Sequence, residues 1–421
     1  MRILVIANTI PYPPVSGGRV RTYNLLERVA RRHEVWLACH LHAPEEAAGV
    51  PHMESICARV ATALLERRSP LAHLPGIARY AATGRPPEFK FLHAPDLART
   101  VAAWSREVGF DVIQIEESRM ALYNEALPAD LQAARLLTFY DVAFHQSTRI
   151  ARVEANAVAR VRAQLHGAIM RRWEPRYAER FDRCLVVSDD DRRRLATANP
   201  RLRIEVVPNG VDVAAYRPLG WEGSRPDILF IGNMSYRPCI DAAAYLAERV
   251  LPLVRRCVPD AELWIVGASP TAEVRALAGD GVHVTGQVDD VVPYYARCGV
   301  CVVPLRAGGG TRLKILEAMA LGRPVVSTTL GCEGLDVAPG EHLFVADDQE
   351  GLAAATVRLL TDASERDRLV ARARRLVVAR HDWDAIAERM LAVYADVVAA
   401  APAWGAASAR GGAQARYRRE A

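Results

Sequence analysis

Short apolar runs alternate with amphipathic segments along this chain, and the whole alternation occurs twice. The first series has runs at residues 3–7, 35–39, 112–115, 136–139, 184–187 and 204–207, and the second has runs at residues 228–232, 262–266, 283–285, 300–304 and 325–327. Runs of this length, apolar at nearly every position, are typical of strands buried on both faces of a parallel sheet. Because helical segments separate them, the sequence predicts an α/β fold with two doubly wound, Rossmann-like domains.

The boundary between the two domains is predicted at residues 208–226, where Pro, Asn and Gly are followed by a turn-rich stretch. We predict an N-terminal domain at residues 1–212, a C-terminal domain at residues 222–382, a helix at residues 383–398 that crosses back to the first domain, and a disordered tail at residues 399–421. Ligands of such sheets bind beyond the carboxyl ends of the strands, so we expect the site in a central cleft between the domains.

The composition is that of a globular protein with a mild positive charge: 421 residues, 51% of them hydrophobic, and a net charge of +5. Arginine is concentrated at residues 149–183 and 410–419, where we favour solvated helix surface and disorder over contact with anionic lipid. No basic sheet interleaved with aromatic residues supports a nucleic-acid partner. Met1 leads directly into the first apolar run, and no run reaches the roughly 18 residues that span a bilayer, so we expect a cytoplasmic protein with at most peripheral membrane contact.

Eight cysteines occur without the spacing of a disulfide framework. Cys298 and Cys301 form a CxxC, but the pair begins an apolar run and no second pair or histidine cluster accompanies it. We therefore interpret these cysteines as buried thiols and predict no metal site.

The segment at residues 308–326, GGGTRLKILEAMALGRPVV, carries the strongest functional pattern. Glycines let the backbone approach a phosphate closely, and the N-terminus of the following helix directs N–H groups and a partial positive charge toward it. Of the 54 Lys and Arg residues only Lys90 and Lys314 are lysines, and an ammonium is not interchangeable with a guanidinium at a tight anion site. With Glu317 as an acceptor for a sugar diol, the segment predicts binding of a nucleotide-diphosphate sugar.

Four segments, taken in order, resemble the retaining glycosyltransferases of family 4, which have the GT-B fold. They are VVPNGVD at 206–212, ILFIGNMSYRP at 228–238, VTGQVDDVVPYYARCGVCVVPL from residue 284, and LEAMALGRPVV at 316–326. The second segment is similar to the subgroup that takes part in bacterial exopolysaccharide assembly. The resemblance covers residues 1 to about 396, and it implies two Rossmann-like domains and sugar transfer with retention at the anomeric carbon.

The resemblance also implies roles for individual residues of the donor site. Glu317 matches the second of two family glutamates separated by seven residues, and this glutamate holds the ribose hydroxyls. Lys314 would face the diphosphate, and Gly310 and Thr311 would offer backbone N–H groups to the sugar or phosphate. Gly17 and Gly18 would approach the donor phosphates from the first domain.

This sequence departs from the family pattern at several donor-site positions. The first glutamate of the motif falls at Gly309, so the usual contact to the transferred sugar is missing. The basic pair that grips the diphosphate falls at Asn233 and Cys239, which are uncharged. Arg237 and Arg312, together with the lysine of the glycine segment, are the nearest substitutes.

In the first domain the family's His-Asp or His-Asn pair matches Tyr140 and Asp141. We take Asp141 and His145, four residues further on, as the candidate catalytic residues. A turn or helix-cap residue is the alternative for Asp141, and an ordinary surface or core histidine is the alternative for His145. Glu116 follows an apolar run and is a candidate acceptor contact, with a solvated carboxylate as the alternative.

The sequence therefore predicts a hexosyltransferase that moves a sugar from a nucleotide-diphosphate sugar to a polysaccharide precursor or lipid-linked acceptor. We expect no cofactor and no essential metal, since positioned cations and helix N-termini can stabilise the leaving diphosphate. The expected partners are the donor and the glycan or lipid-linked acceptor, with no nucleic acid, and a peripheral contact with an anionic membrane is left open. Two alternatives stay open: a nucleotide-sugar 2-epimerase of the same architecture, and a non-catalytic sugar-nucleotide-binding component of a polysaccharide assembly complex.

Overall fold

The structure of the chain is a computed structural model, and it describes residues 1–65, 85–86, 89–154 and 156–400. The described chain divides into two compact units. The first unit comprises Met1–His145, Leu165–Val207 and the chain from Ala387 onward, and the second comprises Gln146–Gln164 and Pro208–Ile386. The predicted disordered tail lies outside the described residues from position 401 onward.

The first unit is built on a seven-stranded sheet. Its strands are β1 (Arg2–Ala7), β2 (Glu34–Leu41), β3 (Arg59–Leu64), β4 (Val112–Glu116), β5 (Ala134–Phe139), β6 (Arg183–Val186) and β7 (Ile204–Val206). They follow the order β3-β2-β1-β4-β5-β6-β7, and every neighbouring pair is parallel. The strand order reverses between β1 and β4, which places a topological switch point at the carboxyl ends of these two strands.

The helices of this half of the chain lie between the strands. The α-helices are Gly17–Ala30, Val50–Glu54, Phe89–Leu92, Pro95–Glu107, Ala143–Val153, Ala157–Tyr177 and Asp189–Ala198, and 3-10 turns occur at Pro44–Gly49, Ser118–Glu125 and Ala178–Arg180. Apolar side chains on the sheet, such as Leu4, Ile113 and Leu137, form one buried core with residues from these helices.

The second unit contains a six-stranded parallel sheet. Its strands are β8 (Arg225–Ile231), β9 (Leu263–Val266), β10 (Val282–Val284), β11 (Cys298–Val303), β12 (Val325–Ser327) and β13 (Phe344–Val345), in the order β10-β9-β8-β11-β12-β13. Its α-helices are Arg237–Tyr245, Leu251–Arg255, Ala272–Arg275, Val292–Arg297, Leu313–Ala320, Gln349–Thr361 and Ala363–Arg380, and the last helix of the chain, Trp383–Ala400, begins in this unit. The order reverses between β8 and β11, so the glycine segment that follows β11 begins at this unit's switch point.

These two doubly wound parallel sheets confirm the predicted fold class. The last helix, Trp383–Ala400, joins the first unit from Ala387 onward. Tyr394 on this helix donates a hydrogen bond to Oε1 of Gln114 on β4 at 2.5 Å. The helix is thus held to the first sheet through a buried polar contact as well as through apolar packing.

The arginine-rich segment predicts a long helix from about Arg152 to Arg180, and the structure has the helix Ala157–Tyr177 over most of this range, with the separate helix Ala143–Val153 before it. Oδ1 of Asn156 accepts hydrogen bonds from the backbone N–H groups of Val158 and Ala159 at 2.9 and 3.1 Å. An asparagine that satisfies the first free N–H groups starts a new helix, and this cap accounts for the break.

Two further boundaries differ from the sequence-based expectation. β3 was not predicted, because its two alanines and its leucine are good helix formers and pairing with β2 decides in favour of a strand. The amphipathic segment at residues 241–257 predicts a helix, and in the structure this helix begins earlier, at Arg237, and is interrupted by a π-helical turn at Leu246–Val250.

All eight cysteines are free thiols, and Cys298 and Cys301 are buried in β11, as predicted. Burial raises the pKa of the Cys301 thiol to about 12, which keeps it protonated and unreactive. Within the described ranges, no group of three or more His, Cys, Asp or Glu side chains is arranged to hold a metal ion. In the same part of the chain, no helix combines the length and the apolar character that crossing a bilayer requires.

Candidate functional site

The glycine loop, defined here as residues 307–312, connects β11 to the helix Leu313–Ala320. Gly308 and Gly310 have φ angles of 107° and 69°, a region that side chains with a Cβ rarely adopt. A Cβ on Gly308 would also lie 3.2 Å from the hydroxyl oxygen of Tyr236. The loop therefore depends on glycine for its conformation at these positions.

Lys314 and Glu317 lie one helical turn apart on the helix that follows the glycine loop, and both are half-buried. Nζ of Lys314 lies 4.6 Å from the ring centroid of Phe230, and a Cβ on Gly232 would be 3.0 Å from this nitrogen. In the described residues, no carboxylate lies within ion-pair distance of Nζ. The ammonium is thus held in place by an aromatic face and a glycine, and its charge stays available for an anionic ligand.

Tyr295 orients the same turn of the helix. Its hydroxyl donates to the carbonyl oxygen of Lys314 at 3.0 Å and lies 3.4 Å from Oε2 of Glu317. Burial raises the pKa of the Glu317 carboxyl, while the positive charge of Lys314 opposes the increase. The result is a carboxyl group with free acceptor capacity beside a fixed cation.

Thr311, at the end of the glycine loop, is tied to the segment that begins the second unit. Oγ1 of Thr311 accepts a hydrogen bond from Nδ2 of Asn209 at 2.6 Å, and the carbonyl oxygen of Asn209 lies 3.0 Å from Nδ1 of His381. Asn209 belongs to the VVPNGVD segment, so this segment braces the loop from the side.

The two arginines predicted to replace the missing basic pair are engaged by the protein itself. Nη1 of Arg312 donates to the carbonyl oxygens of Gly309 and Gly310, and the side chain is buried. Nη1 of Arg237 contacts Oε2 of Glu273 at 3.1 Å. Arg312 therefore closes the glycine loop on itself, and Arg237 shares its charge with a carboxylate.

The two uncharged positions of the family pattern have local structural roles. Asn233 accepts hydrogen bonds at Oδ1 from the backbone and hydroxyl of Ser235, at 3.0 and 2.7 Å. Cys239 is buried, and a Cβ on Gly232 would lie 2.8 Å from its sulfur. A long basic side chain at position 239 would need space that the neighbouring backbone occupies.

In the first unit, Gly17 and Gly18 begin the helix Gly17–Ala30 directly after the loop that follows β1. A Cβ on Gly18 would lie 3.0 Å from Cε2 of Tyr140, which is tighter than ordinary packing. A side chain at position 18 would therefore require the Tyr140 ring to shift by a few tenths of an ångström.

Beneath this helix lies a buried polar cluster formed by Arg21, Thr22, Gln114, Glu116, Thr138, Tyr140 and Tyr394. The Thr22 and Tyr140 hydroxyl oxygens are 2.5 Å apart. Oε1 of Glu116 accepts from Nε2 of Gln114, while Oε2 is buried without a hydrogen-bond partner. Burial raises the pKa of Glu116, and the positive charge of Arg21 opposes the increase most strongly. Glu116 is 3% exposed, so the solvated alternative for this residue is wrong.

Asp141 and His145 follow β5. Asp141 precedes the helix Ala143–Val153, His145 lies in its first turn, and both are half-buried. Glu174 is buried nearby; its burial raises the carboxyl pKa to about 8, and the charge of Asp141 adds to the increase. Asp141 therefore lies near a second carboxyl group, that of Glu174, whose raised pKa keeps it protonated near neutral pH.

The structure thus gathers the predicted residues into two groups. The second unit brings together Arg237, Gly309, Gly310, Thr311, Arg312, Lys314 and Glu317, and the first unit brings together Gly17, Gly18 and Glu116, with Asp141 and His145 on the turn after Tyr140. Sequence reasoning missed Arg21, Asn209, Glu174 and Tyr295. Asn209 and Tyr295 lay within recognised segments, whereas Arg21 and Glu174 gave no signal beyond their positions in helices.

Comparison with known proteins gives matches over both units. Residues 15–215 match the family described as Glycosyltransferase Family 4, and residues 225–362 match Glycosyl transferases group 1. The chain is 31% identical over 314 residues to the phosphatidyl-myo-inositol mannosyltransferase of Mycolicibacterium smegmatis, which covers 72% of this chain and 75% of that protein.

Solved structures show the same fold. The sucrose-phosphate synthase of Thermosynechococcus elongatus has a TM-score of 0.72 at 21% identity and covers 95% of this chain and 100% of that one. Anabaena HepE in complex with UDP and glucose has a TM-score of 0.66 at 16% identity, and the match covers 94% of this chain and 100% of that one. Two family descriptions match the two halves of the chain, and the mycobacterial mannosyltransferase is similar over most of it. The chain therefore belongs to glycosyltransferase family 4 and is an enzyme of the GT-B fold.

Proposed function

We propose that this glycosyltransferase moves a sugar from a nucleotide-diphosphate sugar to a polysaccharide precursor or a lipid-linked acceptor, with retention of the anomeric configuration. The single observation that supports this proposal most is the arrangement of Lys314 and Glu317. One helix that follows a glycine loop presents both a cation without a carboxylate partner and a carboxyl acceptor. A diphosphate and a ribose diol need these two groups side by side.

The proposed chemistry is the departure of a diphosphate from the anomeric carbon. Negative charge grows on the leaving phosphate as the glycosidic bond breaks, and fixed donors at a helix N-terminus and the ammonium of Lys314 stabilise it. Asp141 and His145 are the candidates for taking the acceptor proton. We assign no enzyme nucleophile, and we expect transfer to proceed without a metal.

The acceptor class is inferred from the relatives' names. The mycobacterial relative is a phosphatidyl-myo-inositol mannosyltransferase, so its acceptor carries lipid. HepE was solved with UDP and glucose, which is the chemistry proposed for the donor site. By name these proteins transfer or bind sugars, and they favour a transferase over the 2-epimerase.

The first prediction concerns the reaction itself. When the full chain is incubated with UDP-, GDP- and ADP-sugars, free nucleoside diphosphate is expected to appear only when a membrane-lipid or glycan acceptor is present. Product analysis by mass spectrometry and NMR is expected to show an α-linked product from an α-linked donor. Activity is expected to survive EDTA.

Other outcomes of this assay distinguish the alternatives. An isomerised donor sugar in the absence of acceptor supports an epimerase. Binding of a nucleotide sugar with no turnover on any acceptor supports a non-catalytic binding component. Inversion at the anomeric carbon contradicts the retaining mechanism while leaving the transferase assignment in place.

We also propose a peripheral contact with an anionic membrane, from the cytoplasmic side, through the helix Ala157–Tyr177. Val158, Val161 and Leu165 are 79%, 61% and 62% exposed, and their spacing of three and four residues places them on one helical face. The sequence has no acidic residue between Glu154 and Glu174. An exposed apolar stripe on an arginine-rich helix suits the interface of a bilayer with anionic headgroups.

The second prediction tests this contact. The wild-type chain is expected to sediment with phosphatidylcholine vesicles that contain phosphatidylglycerol, and much less with phosphatidylcholine alone. Changing Val158, Val161 and Leu165 together to Ser is expected to abolish the binding. Val378→Ser, at a side chain that is 45% exposed on another helix, serves as the control and is expected to bind normally. Equal binding of both variants would contradict the proposed face.

A further inference from the structure

Arg149 reaches the glycine loop from an element outside the donor-site motifs. It lies on the helix Ala143–Val153, in the segment Gln146–Gln164 that belongs to the second unit. Nη1 of Arg149 is 3.4 Å from the carbonyl oxygen of Gly308, and the guanidinium forms a two-point ion pair with Glu333 in which Nη2 and Oε1 are 2.8 Å apart. The planar fork of this arginine therefore lies beside the first residue of the glycine triplet.

The preceding turn of the same helix also contacts this region. Nε2 of Gln146 donates to the hydroxyl oxygen of Tyr236 at 3.3 Å. The Tyr236 hydroxyl is in turn the nearest atom to the position of a Cβ on Gly308, at 3.2 Å. Arg149 thus contacts the loop directly, while Gln146 contacts Tyr236, whose hydroxyl lies beside Gly308.

The donor site has fewer available cations than a diphosphate requires. A diphosphate ester carries about two negative charges, and Lys314 supplies one positive charge. Arg312 is turned onto the carbonyl oxygens of its own loop, and Arg237 is paired with Glu273. Arg149 is a further cation in contact with the loop, and its fork can hold two phosphate oxygens at once.

Arg149 can exchange the Glu333 carboxylate for another acidic partner. The side chains are 14% and 18% exposed, so solvent reaches the pair. Phosphate and carboxylate oxygens present the same acceptor geometry to a guanidinium, so a phosphate can replace the Glu333 carboxylate without leaving the arginine unpaired. Glu333 lies in the turn-rich segment after β12, and its carboxylate can then be hydrated.

We propose that Arg149 is a ligand of the donor phosphate, held beside the glycine loop by Glu333 until the nucleotide-diphosphate sugar replaces that carboxylate. This inference rests on the proposed function, because it requires a phosphate-bearing donor at the glycine loop. It adds a binding residue and a competing carboxylate that no family motif in the chain contains.

The test compares two variants of the full chain that are expected to change nucleotide binding in opposite directions. Arg149→Gln is expected to weaken binding of UDP or GDP, whichever the wild type binds, by about 10- to 100-fold, since a charge-assisted contact is lost. Glu333→Gln is expected to tighten the same binding by a few-fold, because the competing negative charge is removed while the side-chain shape is kept. Arg149→Lys, which keeps the charge without the fork, is expected to lie between wild type and Arg149→Gln. Isothermal titration calorimetry measures all four proteins.

The alternative is that the ion pair only braces the loop. In that case Arg149→Gln and Glu333→Gln weaken binding alike, and this result would overturn the proposal. Lys314→Met separates it from the proposed function. If UDP and GDP binding is lost in Lys314→Met but unchanged in Arg149→Gln, the role of Arg149 is wrong and the donor site stands. If the wild type binds no nucleoside diphosphate, both are wrong.

Discussion

Lys314→Met is expected to weaken binding of a nucleoside diphosphate by about 10- to 100-fold, and to leave binding of the unphosphorylated nucleoside unchanged. The reason is the position of Nζ, which rests on the Phe230 ring and lies close to Gly232. Methionine keeps most of this apolar packing and removes only the charge. Calorimetric titration with UDP and uridine, and with GDP and guanosine, measures the difference directly. Turnover is expected to fall further, by about 100- to 1,000-fold, because the lost charge also stabilises the leaving diphosphate.

Glu317→Gln provides the matched contrast on the same helix. If the Glu317 carboxyl group accepts hydrogen bonds from the ribose, as proposed, this variant is expected to weaken binding of nucleoside and nucleoside diphosphate alike. Arg249→Met removes one positive charge from an exposed position of the second unit and is expected to bind both ligands normally. If Lys314→Met and Arg249→Met behave alike, the glycine-loop helix is not the phosphate site.

The fold could be predicted from the sequence because its signals are local. Strands buried on both faces give short apolar runs, and β1, β5 and β12 lie within two residues of their expected positions. β3 lacks that signal, since it lies at the sheet edge and alternates between exposed and half-buried residues. The Arg-rich segment divides because Asn156 caps a new helix. The residues around it are good helix formers, so the composition does not indicate this break.

The candidate site could be predicted from the sequence only where its residues lie close together in one short segment. Lys314 and Glu317 follow a glycine triplet within ten residues of sequence, so their proximity needs no tertiary information. Arg149 and Glu333 are 184 positions apart, and nothing in either local sequence indicates the other. The role of Arg312 was also beyond reach, because a cation near a glycine loop gives no sign of whether it faces the ligand or the loop's own carbonyl groups.

Arg21→Met is expected to destabilise the first unit by about 3–5 kcal/mol, which is the usual cost of removing one partner from a buried pair of charges. Arg21 is 1% exposed and Glu116 is 3% exposed. Hydrogen bonds from neighbouring side chains also favour the Glu116 carboxylate, but burial has the larger effect and Arg21 opposes it most, so removal of the arginine leaves the carboxylate incompletely compensated. Urea unfolding of the full chain is followed by circular dichroism. The decrease in the free energy of unfolding is measured from the transition whose midpoint changes in Arg21→Met.

The pH dependence identifies Glu116 as the origin of that loss. Burial raises the folded-state pKa of Glu116 above its ordinary value of 4.5, and Arg21 opposes the increase, so removing Arg21 raises this pKa further. A carboxyl group with a raised folded pKa costs nothing below pH 4.5 and destabilises the fold progressively as the pH rises toward the folded pKa. The deficit of Arg21→Met is therefore expected to be larger at pH 8 than at pH 5, and Arg21→Met combined with Glu116→Gln is expected to recover much of it. A deficit that is equal at both pH values, and that the second substitution leaves unchanged, would mean that Arg21 stabilises the unit by packing alone.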